Sequence, residues 1–152
     1  MVYTYTSTRA DYDPAKLFIV CPPSGQAAAE PEAAAFAEAS GWKALTEWEG
    51  GILMIPVVPD GWKAENVDLP AKLYDSLRNS FATRNGRSLF ARGGKLWCWE
   101  TMVYLVGYED GAVFAGSCAV AHPNRFAAVT LVGGVPDDYT RAAQPSDHWM
   151  VR

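Results

Sequence analysis

The ten residues from Val103 to Ala112 constrain the fold of this chain more than any other segment. They read VYLVGYEDGA: an apolar run, a short turn with Gly107 and Gly111 at its ends, and then small residues. A short apolar run without alternating polar residues is typical of a strand buried on both faces of a parallel sheet. The segment therefore predicts a strand, a sharp turn at Glu109 and a helix of small residues packed close to the sheet.

Apolar runs occur elsewhere too, so the chain is predicted to hold four strands. They are expected at Leu17–Cys21, Ile52–Val58 (with Pro56 marking its end), Met102–Val106 and Phe126–Val132. The segment Val2–Thr6 alternates along its length, and two interpretations stay open for it: an extra edge strand, or irregular chain.

Helical patterns separate these strands. The predicted helices are Pro31–Ala39, Trp42–Glu49, Leu69–Phe81 and Gly111–Ala121. Proline and acidic residues mark the first turn of one helix, and a glycine pair ends another. Because strands joined through helices pair in parallel by right-handed crossovers, we expect a three-layer α/β sandwich with a mostly parallel sheet.

Composition excludes several classes of protein. With 152 residues and 49% hydrophobic content, the chain is long enough for one globular domain. The net charge is −4 and the basic residues are scattered, so we expect no nucleic-acid partner. No run approaches the roughly 18 apolar residues that cross a bilayer, so no membrane contact is predicted.

Cysteine usage and the N-terminus indicate the compartment. Cys21, Cys98 and Cys118 are far apart and odd in number, which favours buried, reduced thiols. The first residues lack the basic and apolar regions of a signal peptide. We therefore expect a cytoplasmic protein.

Neither a cofactor nor a metal is predicted. The chain has no glycine-rich nucleotide motif of the G-x-G-x-x-G or G-x-x-x-x-G-K-[ST] type. No cysteine and histidine spacing suggests zinc, and the two histidines, His122 and His148, are too few for a histidine-based metal site.

Loops after parallel strands share one rim of the sheet, where α/β proteins place their sites. Here we expect that rim to be formed by Pro22–Gln26, Pro59–Trp62, Tyr108–Gly111 and Gly133–Asp138.

Four segments, in the right order, resemble the α/β-hydrolase family, and within it the poly(hydroxyalkanoate) depolymerase and feruloyl-esterase-like esterases. Ile19–Gln26 resembles their oxyanion strand and loop, and Ser40–Pro56 their first helix and next strand. Gly107–Gly111 stands where the family has its G-x-S-x-G nucleophile elbow, and Ala121–Val129 resembles the following helix end and strand. The resemblance covers Leu17–Gly134 and implies the N-terminal half of an α/β-hydrolase fold.

The resemblance also implies roles for single residues. Glu109 holds the nucleophile position, where the family has serine, between the elbow glycines Gly107 and Gly111. The oxyanion-hole N–H groups would come from Ser24, Gly25 and Asp110, since the two prolines before Ser24 have no N–H. The acid and histidine of the family lie after later strands, so His148 is not assigned that role.

Two interpretations of Glu109 follow. It is either a carboxylate nucleophile, as aspartate is in haloalkane dehalogenases of this fold, or a residue that only caps the helix on an inherited turn. Asp110 reads as a first-turn acid and nothing more. The first interpretation gives an ester hydrolase that uses Glu109 or is completed by residues beyond Arg152. The second gives a domain that has lost catalysis and serves as a scaffold, binding or assembly domain.

Partners follow from the same reasoning. Tryptophans could line a pocket for a small ester or aryl ligand, or pack in the core; they include Trp42, Trp48, Trp62, Trp97 and Trp99. The chain reads as one domain, 1–152, the N-terminal part of a longer protein. A four-stranded sheet leaves an edge beside Phe126–Val132, and we expect a second copy or a C-terminal domain to cover it.

Overall fold

The structure is a computed structural model and describes residues 1–9, 15–83 and 102–135, with the backbone alone for 77–83. Its five strands are β1 (Val2–Thr6), β2 (Leu17–Cys21), β3 (Ile52–Pro56), β4 (Val103–Tyr108) and β5 (Ala128–Val132). Its α-helices are α1 (Glu30–Ala39), α2 (Trp42–Glu49), α3 (Leu69–Thr83) and α4 (Asp110–Ala121). Two short 3-10 turns lie at Ser24–Gln26 and Ala64–Asn66.

The strands form one sheet in the order β1-β3-β2-β4-β5. β2 pairs in parallel with β3 and β4, and β4 pairs in parallel with β5. β1 pairs antiparallel with β3, so the edge-strand interpretation of Val2–Thr6 is confirmed. The mostly parallel α/β fold is therefore confirmed, with one antiparallel edge.

Helices cover both faces of this sheet. On one face, alternate residues of β2 such as Leu17, Ile19 and Cys21 pack with α3 and with Phe114 of α4. On the other face, Phe18 and Val20 pack with residues of α1 and α2. Every residue of β2 is buried, which is the pattern of a strand covered on both faces and confirms the three-layer arrangement.

Several element boundaries differ from the sequence prediction by one or two residues, and those of β4 and β5 lie nearest the predicted site. β4 continues to Tyr108, so Gly107 lies within the strand rather than in the turn. Its register opposite Cys21 of β2 explains this, because the ladder holds Gly107 in extended backbone. β5 begins at Ala128 rather than Phe126, and the two preceding residues complete the connection from α4.

The β1 edge is fastened to α2 through one carboxylate. Glu47 accepts hydrogen bonds from the Tyr5 hydroxyl at 2.7 Å, from the Thr8 N–H at 3.0 Å and from the Thr8 hydroxyl. The bonds from Thr8 and Tyr5 lower the pKa of Glu47 to about 2, because they stabilise its charged form.

The β5 edge is more open. Along β5, Val129 and Leu131 are half-buried on the α4 face, whereas Ala128, Thr130 and Val132 are exposed on the other face. Within the described residues β5 pairs with β4 alone. In the described part of the chain, one edge of the sheet is thus held by side-chain hydrogen bonds, and the other presents backbone groups and a partly apolar face.

Cys21 and Cys118 are buried, free thiols, as the sequence predicted; Cys98 lies outside the described residues. Burial raises the pKa of both, that of Cys118 to about 12. Over the described part of the chain, no helix has the length and apolar character needed to cross a membrane. The same residues contain no group of three or more potential metal ligands.

Candidate functional site

Glu109 stands at the bend between β4 and α4, where the sequence places the elbow. Its backbone angles are φ 52° and ψ −120°, and it is the one non-glycine residue with positive φ in the described ranges. This conformation is strained for any residue with a side chain. The N–H of Glu109 donates to the Val132 carbonyl at 2.8 Å, and its own carbonyl accepts the Ala112 N–H at 3.0 Å. The bend is therefore bonded on the strand side and on the helix side.

Three glycines make this bend possible by letting backbones touch. A Cβ on Gly107 would lie 2.5 Å from the Cα of Ala112. A Cβ on Gly111 would overlap the backbone carbonyls of Cys21 and Pro22, and one on Gly134 would overlap the carbonyl oxygen of Glu109. The predicted elbow glycines Gly107 and Gly111 thus lie where side chains do not fit, and Gly134 adds a third such position.

Asp110 joins the elbow to the loop after β2. Its Oδ1 accepts hydrogen bonds from the Ser24 N–H at 3.1 Å and from the Gly111 N–H at 3.1 Å. The structure thus brings together Ser24 and Asp110, which the sequence grouped as oxyanion donors. The Ser24 N–H, however, already donates to a carboxylate of the protein. The interpretation of Asp110 as a first-turn acid and nothing more is therefore wrong, since its side chain bonds a residue far away in sequence.

The other predicted donors lie at the same rim. Gly25 is exposed in the 3-10 turn, and a Cβ there would meet no atom within 4 Å. The N–H of Asp110 opens α4, and the first N–H groups of a helix have no acceptor inside that helix.

The side chain of Glu109 is exposed and makes no capping hydrogen bond to α4. Glu109 thus holds the N-cap position of α4, as one of the two interpretations from the sequence had it, but its side chain does not cap the helix by a hydrogen bond. What remains at the bend is a solvent-facing carboxylate on a strained backbone, beside Gly133 and Gly134 of the loop after β5.

Trp62 packs at the rim through its ring and its Nε1. Its Nε1 donates to the Pro22 carbonyl at 2.8 Å, and its ring stacks on Phe114 with centroids 4.6 Å apart. Trp42 likewise bonds the Tyr108 hydroxyl at 3.0 Å, whereas Trp48 is 74% exposed on α2. Trp97 and Trp99 lie outside the described residues. The sequence did not anticipate the contact of Trp62 with Pro22, because nothing local to either residue signals it.

The one histidine among the described residues lies far from Glu109. His122 follows the last residue of α4, and the 12 residues of that helix span about 18 Å. Its Nε2 is 2.7 Å from Oδ1 of Asp68, so the imidazole is paired at the opposite end of the helix. His148 lies outside the described residues. The described rim therefore holds carboxylates and N–H groups without an imidazole.

Comparison with known proteins finds similarity in fold to two esterases. No protein-family model and no curated protein matches the chain. The structure superposes on acetyl xylan esterase from Aspergillus awamori with a TM-score of 0.58 and 17% identity, over 86% of this chain and 45% of that one. It superposes on enterochelin esterase from Shigella flexneri with a TM-score of 0.51 and 13% identity, over 85% of this chain and 31% of that one.

The chain spans less than half the length of either esterase. Similarity at this level of identity concerns the fold, and function belongs to the site. With its mostly parallel sheet and the sharp bend between β4 and α4, the described part of the chain has a three-layer α/β fold similar to part of the fold of these two esterases.

Proposed function

We propose that this chain is an α/β-hydrolase-like domain that has lost ester hydrolysis and serves as a scaffold, binding or assembly domain of an esterase-like protein. The observation that carries the proposal is the carboxylate of Glu109 at the apex of the bend. A serine elbow offers an alcohol whose proton a nearby imidazole removes. Glu109 has no hydroxyl, and the one described histidine lies at the other end of α4.

The rim supports the same proposal. Acyl transfer builds negative charge on the carbonyl oxygen, which backbone N–H groups must stabilise. Of the N–H groups that the family resemblance assigns to this task, that of Ser24 donates to the Asp110 carboxylate. A carboxylate at this position repels an anionic oxygen as well as occupying its donor.

One observation favours a second candidate, an ester hydrolase that uses Glu109. Strained backbone persists mainly at sites where function requires it, and Glu109 keeps such a backbone. Its carboxylate would attack the acyl carbon of an ester, expel the alkoxide and form an anhydride, which water would hydrolyse to release the acid. The resemblance to depolymerases and feruloyl esterases gives hydroxyalkanoate and aryl esters as the substrate class.

Intact-mass spectrometry separates the two candidates. The protein is incubated with aryl acetates and halogenated alkanes, and its mass is compared with that of the Glu109→Gln variant, which keeps the shape but not the charge. We expect no adduct on either protein and no alcohol release above the buffer rate. An adduct on the Glu109 peptide that is absent from the variant would support the hydrolase and overturn the proposed loss of catalysis.

We further propose that a partner covers the β5 edge, either a second copy of this chain or further polypeptide. The support is the exposed face of β5, where Val132 is 45% exposed, together with backbone groups that pair on one side within the described residues. Light scattering during size-exclusion chromatography tests the second copy, which predicts twice the mass of one chain. A monomer that also fails to bind the remainder of a longer gene product contradicts the proposal.

The cytoplasm is the proposed location. Two of the three cysteines are free and buried, and such thiols are common in reducing compartments. Fractionation of cells that express the tagged full-length gene product tests this, and recovery from an extracytoplasmic fraction contradicts it.

A further inference from the structure

Two N–H groups from different elements converge on one oxygen at the rim. The Ser24 N–H comes from the loop after β2 and the Gly111 N–H from the first turn of α4, and both lie 3.1 Å from Oδ1 of Asp110. Two backbone donors aimed at one negative oxygen are the arrangement that stabilises an oxyanion in acyl transfer. Here the negative oxygen belongs to the protein itself.

We propose that Asp110 is an internal latch: its carboxylate takes the place of a ligand oxyanion and holds the Ser24 loop closed on the elbow. This inference rests on the proposed loss of ester hydrolysis and gives a physical cause for it at the same rim. A hydrogen bond to an ionised acceptor is stronger than a neutral one, and the positive end of α4 favours the carboxylate further.

Two further contacts hold the loop against α4. Trp62 donates a hydrogen bond to the Pro22 carbonyl, and its ring stacks on Phe114 of α4. Gly111 lies so close to the backbone carbonyls of Cys21 and Pro22 that no side chain would fit there. The loop therefore cannot turn away while Asp110 stays bonded, and a ligand oxygen reaches the Ser24 N–H only when the carboxylate leaves.

Amide hydrogen exchange measured by NMR tests the latch residue by residue. In Asp110→Ala, we expect the Ser24 amide to exchange about tenfold faster than in the wild type, because one charge-assisted hydrogen bond is lost. Asp110→Asn keeps an oxygen acceptor without charge and should fall between the two. Glu32→Ala is the matched control: it removes an exposed first-turn acid from α1 and should leave Ser24 unchanged.

Added acetate provides a second readout. If the carboxylate stands in for an anion, acetate should shift the Ser24 and Gly111 amide resonances of Asp110→Ala in a saturable way and leave the wild type unchanged. Unchanged Ser24 exchange in Asp110→Ala, no acetate response in that variant, or an equal response in the wild type overturns the latch.

If Asp110→Ala does not fold, the proposal is tested by comparing the wild type with Asp110→Asn. The Ser24 amide should exchange faster in Asp110→Asn than in the wild type, because the charge of the acceptor is lost; equal Ser24 exchange in the two proteins overturns the proposal. These readouts do not depend on activity. The latch can therefore fail while Glu109 remains unmodified, and a Glu109 adduct can appear whatever the amides show.

Discussion

At the N-terminal end of α4 the closest contacts are between backbone atoms, whereas at its C-terminal end the contacts are between ionisable side chains. Gly107 and Gly111 let strand, helix and loop touch at the first end. At the second, His122 pairs with Asp68 and Arg125 with Asp75, all of them partly exposed. Backbone crowding leaves no room to adjust, while exposed ion pairs are weakened by solvent. The bend is thus held by packing that does not involve the side chain of Glu109.

The largest expected effect is at the crowded end. Gly111→Ala forces a methyl group into the backbone of Cys21 and Pro22, and we expect it to lower the free energy of unfolding by about 3 kcal/mol or more. Urea denaturation followed by circular dichroism measures this. Gly25→Ala is the matched control because its Cβ meets no atom within 4 Å, and it should change stability by less than about 0.5 kcal/mol. Equal effects of the two substitutions would show that crowding does not hold the bend.

The second-largest effect is expected from a substitution that relieves backbone strain at Glu109. Glu109→Gly should raise the free energy of unfolding by about 1 kcal/mol, because glycine adopts φ 52° without a Cβ penalty. The control Glu32→Gly, in the first turn of α1, should lower it by up to about 1 kcal/mol. A destabilised Glu109→Gly would mean that the side chain stabilises the bend after all. The same urea titrations supply both values.

The pair of His122 and Asp68 should affect chiefly the pH dependence of stability. The hydrogen bond from His122 lowers the pKa of Asp68 below its ordinary 3.8. A depressed carboxyl pKa contributes stability above the pKa of the unfolded chain, and that contribution is lost as the pH falls through the folded value. Carboxyl-carbon NMR should place the Asp68 midpoint below 3.8 in the wild type and nearer 3.8 in His122→Ala. Identical midpoints would mean that the pair does not form in solution.

The smallest effect is expected at Arg125. Its guanidinium lies 3.3 Å and 3.4 Å from the two carboxylate oxygens of Asp75, and both side chains are more than a third exposed. A double-mutant cycle with Arg125→Ala and Asp75→Asn should give a coupling energy of about 0.5 kcal/mol that falls in high salt. A coupling as large as the effect of Gly111→Ala would remove the contrast between the two ends of α4.

The sequence was sufficient to predict the strands and helices but not the contacts between them. The four strands and the bend at Glu109 were predictable because apolar runs and flanking glycines are local signals. The extent of β4 was not, since Gly107 reads as a turn residue and is held in the strand only by its pairing with Cys21. The bond between Ser24 and Asp110 spans 86 residues and depends on how two loops meet at one rim. The predictions that fall on Cys98, Trp97, Trp99 and His148 concern residues outside the described part of the chain.

At the bend, steric crowding falls on glycines that have no side chain, whereas the side chain of Glu109 is exposed to solvent. The residue at the apex of the bend can consequently be substituted without a change in the sheet around it. Replacement of a serine by a glutamate at this position would remove the nucleophilic hydroxyl and leave the surrounding fold unchanged. A protein of this kind can therefore keep its fold after it loses its activity.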